Sequence, residues 1–282
     1  MRTEKFLEEF LDEDVGHADI TTEALVDSRA TAVGSVICKE RAVIAGLSES
    51  LLLLGLVGCW GKPGTRDGQV ASTGTVILEI TGPARALLKI ERTLLNLLSH
   101  MSGVATATAE LVAIVKRSGS SARVACTRKT LPGLRYFEKK AVELGGGDTH
   151  RLRLDDAVLI KDNHMEFASP ISEAVRKAKA KASFTKKVEV EVISPEQAVE
   201  AAKAGADIIL LDNMTVPQVK KSLALLEAKE VRGHVLIEVS GDITKEKIAS
   251  YAIKGVDVIS VGSITNSARA VDMSLDLRPS KR

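Results

Sequence analysis

Six short, nearly wholly apolar runs recur from about residue 120 onward: ARVACT, AVLIK, KVEVEV, DIILLD, HVLIEVS and DVISVG. Charged or glycine-bearing turns and amphipathic stretches separate them. Runs apolar on both faces belong to a sheet covered on both sides, and strand–helix–strand repetition makes that sheet parallel. A sandwich fits this pattern poorly; a barrel or an incomplete barrel fits it well. The intervening stretches carry helix-start signals. In SPEQAVEAAKAGA, Ser194 is placed as N-cap with Pro195 in the first turn, and in TVPQVKKSLALLEAKE Thr215 has the same N-cap position.

Residues 1–104 follow a different rhythm and read as a smaller mixed α/β domain. TAVGSVICKERAVIAGL predicts a hairpin, ESLLLLGLVG a buried helix, GQVASTGTVILEITGP further strands, and the stretch from Ala84 to Arg117 one long helix or two. The division expected is an N-terminal domain over 1–104 and a barrel over 105–265, with residues 266–282 packing back on the first domain. The most apolar segment, AVIAGLSESLLLLGLVGCWG, carries Glu49 at its middle and is bounded by charge, which favours a buried helix over a membrane span.

A chain of 282 residues is long enough for such a barrel plus a partner domain. A net charge of +2 and an aromatic content of 3% argue against a general nucleic-acid surface. Three cysteines, Cys38, Cys59 and Cys126, with no Cys-x-x-Cys spacing favour neither a disulfide framework nor a zinc site. The opening MRTEKFLEEFLDED places acids where the apolar part of a signal peptide belongs. The expectation is a cytoplasmic protein without nucleic-acid or membrane partners.

In α/β barrels the working groups sit where strands end and βα loops begin. Those ends carry Arg128 and Lys129, Lys161, Glu191, Asp212, Ser240 and Gly241, and Gly262 and Ser263. Together they would line one cavity with a cationic lobe and two carboxylates. EVSGDI and SVGSIT, two successive late loops of glycine and small hydroxyls, match the recurrent barrel site for a phosphate, the first opening a helix at DITKEKIASYAIKG. The ELGGGDTH turn is neither a Walker loop nor a dinucleotide fingerprint. It serves either as a flexible C-cap alone or as a turn that lets the chain fold His150 and Arg151 back beside Arg128. His150 and His164, lacking ligand spacing, read as hydrogen-bonding groups rather than metal ligands.

The stretch TRKTLPGLRYFEKKAVELGGGDTHRLRLDDAVLIKDNH resembles the signature of the quinolinate phosphoribosyltransferases, the carboxylating nicotinate-nucleotide pyrophosphorylases. The similarity extends to DEDVGHADITTEAL, ERTLLNLLSHMSGVATAT, EVEV, LLDNM, EVSG and ISVGSITNS, and so covers nearly the whole chain. The resemblance implies an incomplete TIM-like α/β barrel with a smaller N-terminal α/β sandwich domain. It also implies Mg2+-assisted transfer of phosphoribosyl from phosphoribosyl pyrophosphate to quinolinate with loss of CO2, in a homodimer or dimer-based oligomer. By motif match, Arg128, His150, Arg151 and Lys161 would bind quinolinate, with Arg92 entering from the partner subunit. Lys129 would lie toward the pyrophosphate. Glu191 and Asp212 would address the ribose and the metal, and Ser240, Gly241, Gly262 and Ser263 the 5′-phosphate, with Thr127 and Asn266 as additional candidates. Two positions depart from the family pattern: Asn266 stands where histidine is usual, and Arg153 where glycine is usual. Rival readings are a nicotinate-using relative, an aldolase-type barrel with Lys161 as Schiff-base nucleophile, and a non-catalytic phosphate sensor.

Overall fold

The computed structural model describes residues 3–168 and 170–280. The chain divides into two compact units. The first comprises residues 1–109, 143–146 and 268–282. Its main sheet is antiparallel, with strands ordered Met273–Pro279, Thr31–Cys38, Val76–Pro83 and Trp60–Pro63. Residues alternate between buried and less buried along Thr31–Cys38, as a sheet with one packed face requires. The helix Leu47–Leu56 forms where the apolar segment predicts it. Its Glu49 is buried in the protein.

The hairpin expected from TAVGSVICKERAVIAGL does not form. Both edges of Thr31–Cys38 are already taken, one by Val76–Pro83 and the other by Met273–Pro279. The turn after it is tied down elsewhere: the Lys39 N–H donates to the Asp272 carbonyl at 2.9 Å, and Glu40 pairs with Arg269 and accepts from the Asp272 N–H. Ala42–Val43 therefore pairs with Val70–Ala71 instead. The stretch Ala84–Arg117 is one helix of 34 residues, long and apolar enough by composition to cross a membrane. Its apolar side, including Leu87, Ile90, Leu94, Leu98 and Met101, is nevertheless buried inside the protein.

The second unit, residues 110–142 and 147–267, holds a six-stranded parallel sheet. Strand order is Arg123–Ala125, Val258–Ser260, Leu236–Ser240, Ile208–Asp212, Val188–Val192 and Val158–Ile160. The six apolar runs thus supply the six strands, and the two end strands are not paired with each other, so the barrel is incomplete. Local signals agree with the result. Ser194 accepts from the Gln197 N–H at 3.2 Å, and Thr215 forms a capping box with Gln218. Each such cap is worth about 1 kcal/mol. At the N-terminal ends of the strands, carboxylates tie the sheet together: Asp207 accepts from the Val188 N–H at 2.7 Å and Asp257 from the Ile237 N–H at 2.8 Å. The charges at the C-terminal ends have other work.

Candidate active site

Period two along a strand decides what enters the barrel. In VEVEV, Val188, Val190 and Val192 take one side, so Glu189 and Glu191 share the other. In LIEVS, Glu238 and Ser240 share a side in the same way. The result is a cleft of about 500 Å³ lined by Thr127, Arg128, Lys129, His150, Arg151 and Lys161 on its cationic side. Glu191, Asp212, Glu238, Ser240 and Gly241 supply most of the rest. A second cleft of about 470 Å³ shares Thr127, Lys129, Ser240 and Gly241 with it and adds Gly262, Ser263 and Asn266. The strand-end residues singled out from the sequence are therefore brought together.

Electrostatically the first cleft is split. Among the described residues, the buried Nε of Arg128 has no hydrogen-bond partner, and the Arg151 guanidinium reaches only the Ala157 carbonyl, at 3.5 Å. Burial and the neighbouring Arg128 cation both lower the pKa of Arg151, with Glu189 and Glu191 opposing. Two arginines that repel each other define a place for an anion. Lys161 Nζ lies 3.3 Å from Glu191 Oε2. Burial pushes the Glu191 carboxyl above its ordinary range, Lys161 pulls it back, and Asp212 raises it further.

His150 sits behind this cationic lobe. Its Nε2 is 3.2 Å from Glu238 Oε2 and 3.5 Å from Glu189 Oε2. Ser260 Oγ donates to the other oxygen of Glu238 at 2.5 Å. Burial alone would depress the imidazole, but the hydrogen bonds and charges of Glu189 and Glu238 outweigh it and push its pKa up to about 10. On the other side of the ring, the Arg151 N–H faces Nδ1 at 2.7 Å. That contact belongs to the ring with its proton on Nε2, and a second proton on Nδ1 has to open it. The neutral ring thus has both nitrogens engaged by protein, whereas the imidazolium keeps Nε2 on Glu238 and Glu189 and gives up the contact with the Arg151 N–H. Burial also raises the Glu189 carboxyl, with Glu238 adding to the effect.

Sequence reasoning left His150 without metal-site partners. The structure supplies two, since one donor atom each of His150, Glu189 and Glu238 lies within 4.8 Å of the others. The adjacent arginines and the proton on Nε2 make this a proton-holding cluster rather than a cation site. Glu189 and Glu238 were legible in principle, each lying two residues before a strand-end residue on the same side. Other expectations resolve plainly. Arg153 is exposed and pairs with Asp155, and His164 Nδ1 accepts from the Lys161 N–H at 2.9 Å. Asn266 is exposed and bonded to Ser267. No helix opens directly at DITKEK: residues 244–247 form turns, and only Ile248–Tyr251 is helical. The two loops expected to hold a phosphate therefore rest on glycine geometry and short turns rather than on a long helix end. Arg92 and Asn96 are both exposed on Ala84–Arg117, whereas Leu94, Leu95, Leu97 and Leu98 are buried.

Residues 104–276 match the family model described as quinolinate phosphoribosyl transferase, C-terminal domain, and residues 19–102 match the N-terminal domain of the same family. The chain belongs to the quinolinate phosphoribosyltransferase family. A protein of Methanothermobacter thermautotrophicus, named a probable carboxylating nicotinate-nucleotide pyrophosphorylase, is 46% identical over 272 residues, covering 96% of this chain and 98% of its own. The human carboxylating nicotinate-nucleotide pyrophosphorylase is 37% identical over 257 residues, covering 90% of this chain and 85% of its own. Among solved structures, NadC from Streptococcus pyogenes superposes with a TM-score of 0.91 at 39% identity, covering 98% of this chain and 96% of its own. The family fold accounts for both the antiparallel sheet of the first unit and the open parallel barrel of the second.

Proposed function

We propose that the cleft transfers phosphoribosyl from phosphoribosyl pyrophosphate to quinolinate, giving nicotinate mononucleotide, pyrophosphate and CO2. The observation that carries this reading is the pair Arg128 and Arg151, whose charges repel each other, with the Arg128 Nε buried and unpartnered and, among the described residues, no carboxylate bonded to either guanidinium. Quinolinate, a dianion with adjacent carboxylates, relieves that repulsion. Planar guanidinium groups suit carboxylates, and Lys161 adds a point charge at the edge. The ring nitrogen is then held toward the ribose, so nucleophile and electrophile meet without the entropy cost of a free encounter.

Opposite the cations stand Glu191 and Asp212. As pyrophosphate leaves, positive charge develops on the ribose, and these two carboxylates stabilise it electrostatically. Ser240, Gly241, Gly262 and Ser263 hold the 5′-phosphate, with Lys129 and Thr127 between the two clefts and Asn266 at the rim. Glu191, whose Oε2 lies 3.3 Å from Lys161 Nζ, and Asp212 are the two carboxylates on this side of the cleft, and they are the oxygen donors that would hold Mg2+. Bound there with the pyrophosphate, such an ion would neutralise charge on the leaving group. The same reading takes the enzyme as a cytoplasmic two-fold dimer in which Arg92 serves the partner's cleft.

The test is release of CO2 from carboxyl-labelled quinolinate, together with the ratio of kcat/KM for quinolinate and nicotinate. Removing the second carboxylate leaves buried cations unpaired, and a site of this kind discriminates by roughly 10⁴-fold or more. Comparable values for the two acids refute the assignment. A borohydride-trapped adduct at Lys161 would point instead to Schiff-base chemistry.

A further inference from the structure

Lys139 lies on the helix Arg135–Leu144 and is only 2% exposed. A lysine withdrawn this far from water usually faces a carboxylate. Here the ammonium instead donates to the main-chain carbonyl of Thr149 and, at 3.1 Å, to that of Arg151, with the Cys126 thiol as a further partner. Those two carbonyls flank His150, a non-glycine residue whose φ of 50° lies in the left-handed region. The same short arm is held from other directions. Cys126 Sγ lies 3.4 Å from the Thr149 carbonyl, and Asp148 Oδ1 accepts from the His150 N–H at 2.8 Å. Burial pulls the Lys139 pKa below the ordinary lysine value, with Cys126 opposing. A buried cation bonded to main chain is costly, and the conformation it secures sends the imidazole of His150 toward Glu238 while Arg151 joins Arg128.

We propose that Lys139 is a positioning residue for the quinolinate clamp: it touches no substrate but locks the main chain on both sides of His150, so that the Arg151 guanidinium is presented to the second carboxylate with the His150 imidazole held on Glu238 behind it. This rests on the assignment of Arg151 to quinolinate. The measurements are quinolinate and nicotinate Kd by titration calorimetry, KM for each substrate, and thermal unfolding, for Lys139→Met, Lys139→Arg and the reference variant Arg151→Ala. Lys139→Met should raise the quinolinate KM about 10- to 100-fold, the scale of one or two charge-assisted hydrogen bonds, while the phosphoribosyl pyrophosphate KM stays within about twofold. It should also shrink the quinolinate-to-nicotinate Kd ratio, because nicotinate lacks the carboxylate that the arm receives. Lys139→Arg, which keeps donors, should recover part of the ratio. A residue that only supports the fold would lower the melting temperature or the active fraction and leave the ratio intact. If Arg151→Ala loses discrimination while Lys139→Met keeps it, positioning by Lys139 is refuted and the site assignment stands. If Arg151→Ala keeps it too, the site assignment itself fails. Should Lys139→Met not fold, Lys139→Gln takes its place, and a wild-type ratio in that variant overturns the proposal equally.

Discussion

Gly241→Ala tests the proposed phosphate end of the cleft. Gly241 has φ of +99°, well outside the region where L side chains are comfortable. A Cβ added there would lie 2.2 Å from Asn213 Oδ1, 2.5 Å from its Cγ and 2.7 Å from its main-chain N. The Asn213 side chain can turn away. The main-chain N cannot, because it donates to the Ser240 carbonyl at 2.9 Å, extending the pairing of the two strands. Holding an ordinary residue in a rare backbone region costs about 1–3 kcal/mol, and overpacking a close contact costs a further 1–3 kcal/mol or so. A total of about 2–6 kcal/mol corresponds to a melting temperature lower by roughly 4–24 °C in a chain of this size. Because Asn213 Nδ2 also donates to Asp212 at 2.8 Å, relief of the clash displaces Asp212 as well. The phosphoribosyl pyrophosphate KM, measured at saturating quinolinate, should rise about 10- to 100-fold, as expected for misplacement of a binding loop by an ångström or less. Adding Asn213→Gly removes the side-chain part of the clash and should recover part of the stability. Wild-type melting and wild-type KM in Gly241→Ala would refute the geometric argument, and a change confined to the quinolinate KM would move the phosphate elsewhere.

Two further outcomes follow from the charge arrangement. The imidazole of His150, raised from 6.5 to about 10, contributes stability that is fully present below about pH 6.5 and is lost as pH rises through about 10. The stability difference between wild type and His150→Gln, from urea unfolding at several pH values, should therefore shrink by up to about 1.4 kcal/mol per pH unit across that window, and a flat difference contradicts a carboxylate-held imidazolium. For Arg92, mixing inactive Arg92→Ala and Lys129→Ala under subunit exchange should restore roughly a quarter of wild-type activity, since a mixed dimer holds one intact site. Exchange confirmed by mass with activity still at the parental level removes Arg92 from the partner's cleft.

The sequence by itself determined the parallel barrel strands, because a run apolar on both faces has few other homes, and it determined the helix starts at Ser194 and Thr215, because caps act within one turn. It also marked the strand-end residues of the cleft, since a barrel's chain direction alone says which end of each strand they occupy. What it could not fix was pairing. TAVGSVICKERAVIAGL looks like a hairpin locally, yet the strand it contains finds both neighbours far along the chain, in Val76–Pro83 and Met273–Pro279. Likewise nothing local distinguishes Lys139 from a surface lysine of an amphipathic helix, or Glu238 from any acid in an apolar strand. Only tertiary structure places the first beneath the Thr149–Arg151 arm and the second against His150. Short-range preferences are encoded in neighbouring residues, whereas the cost of a buried charge depends on partners contributed by segments remote in sequence.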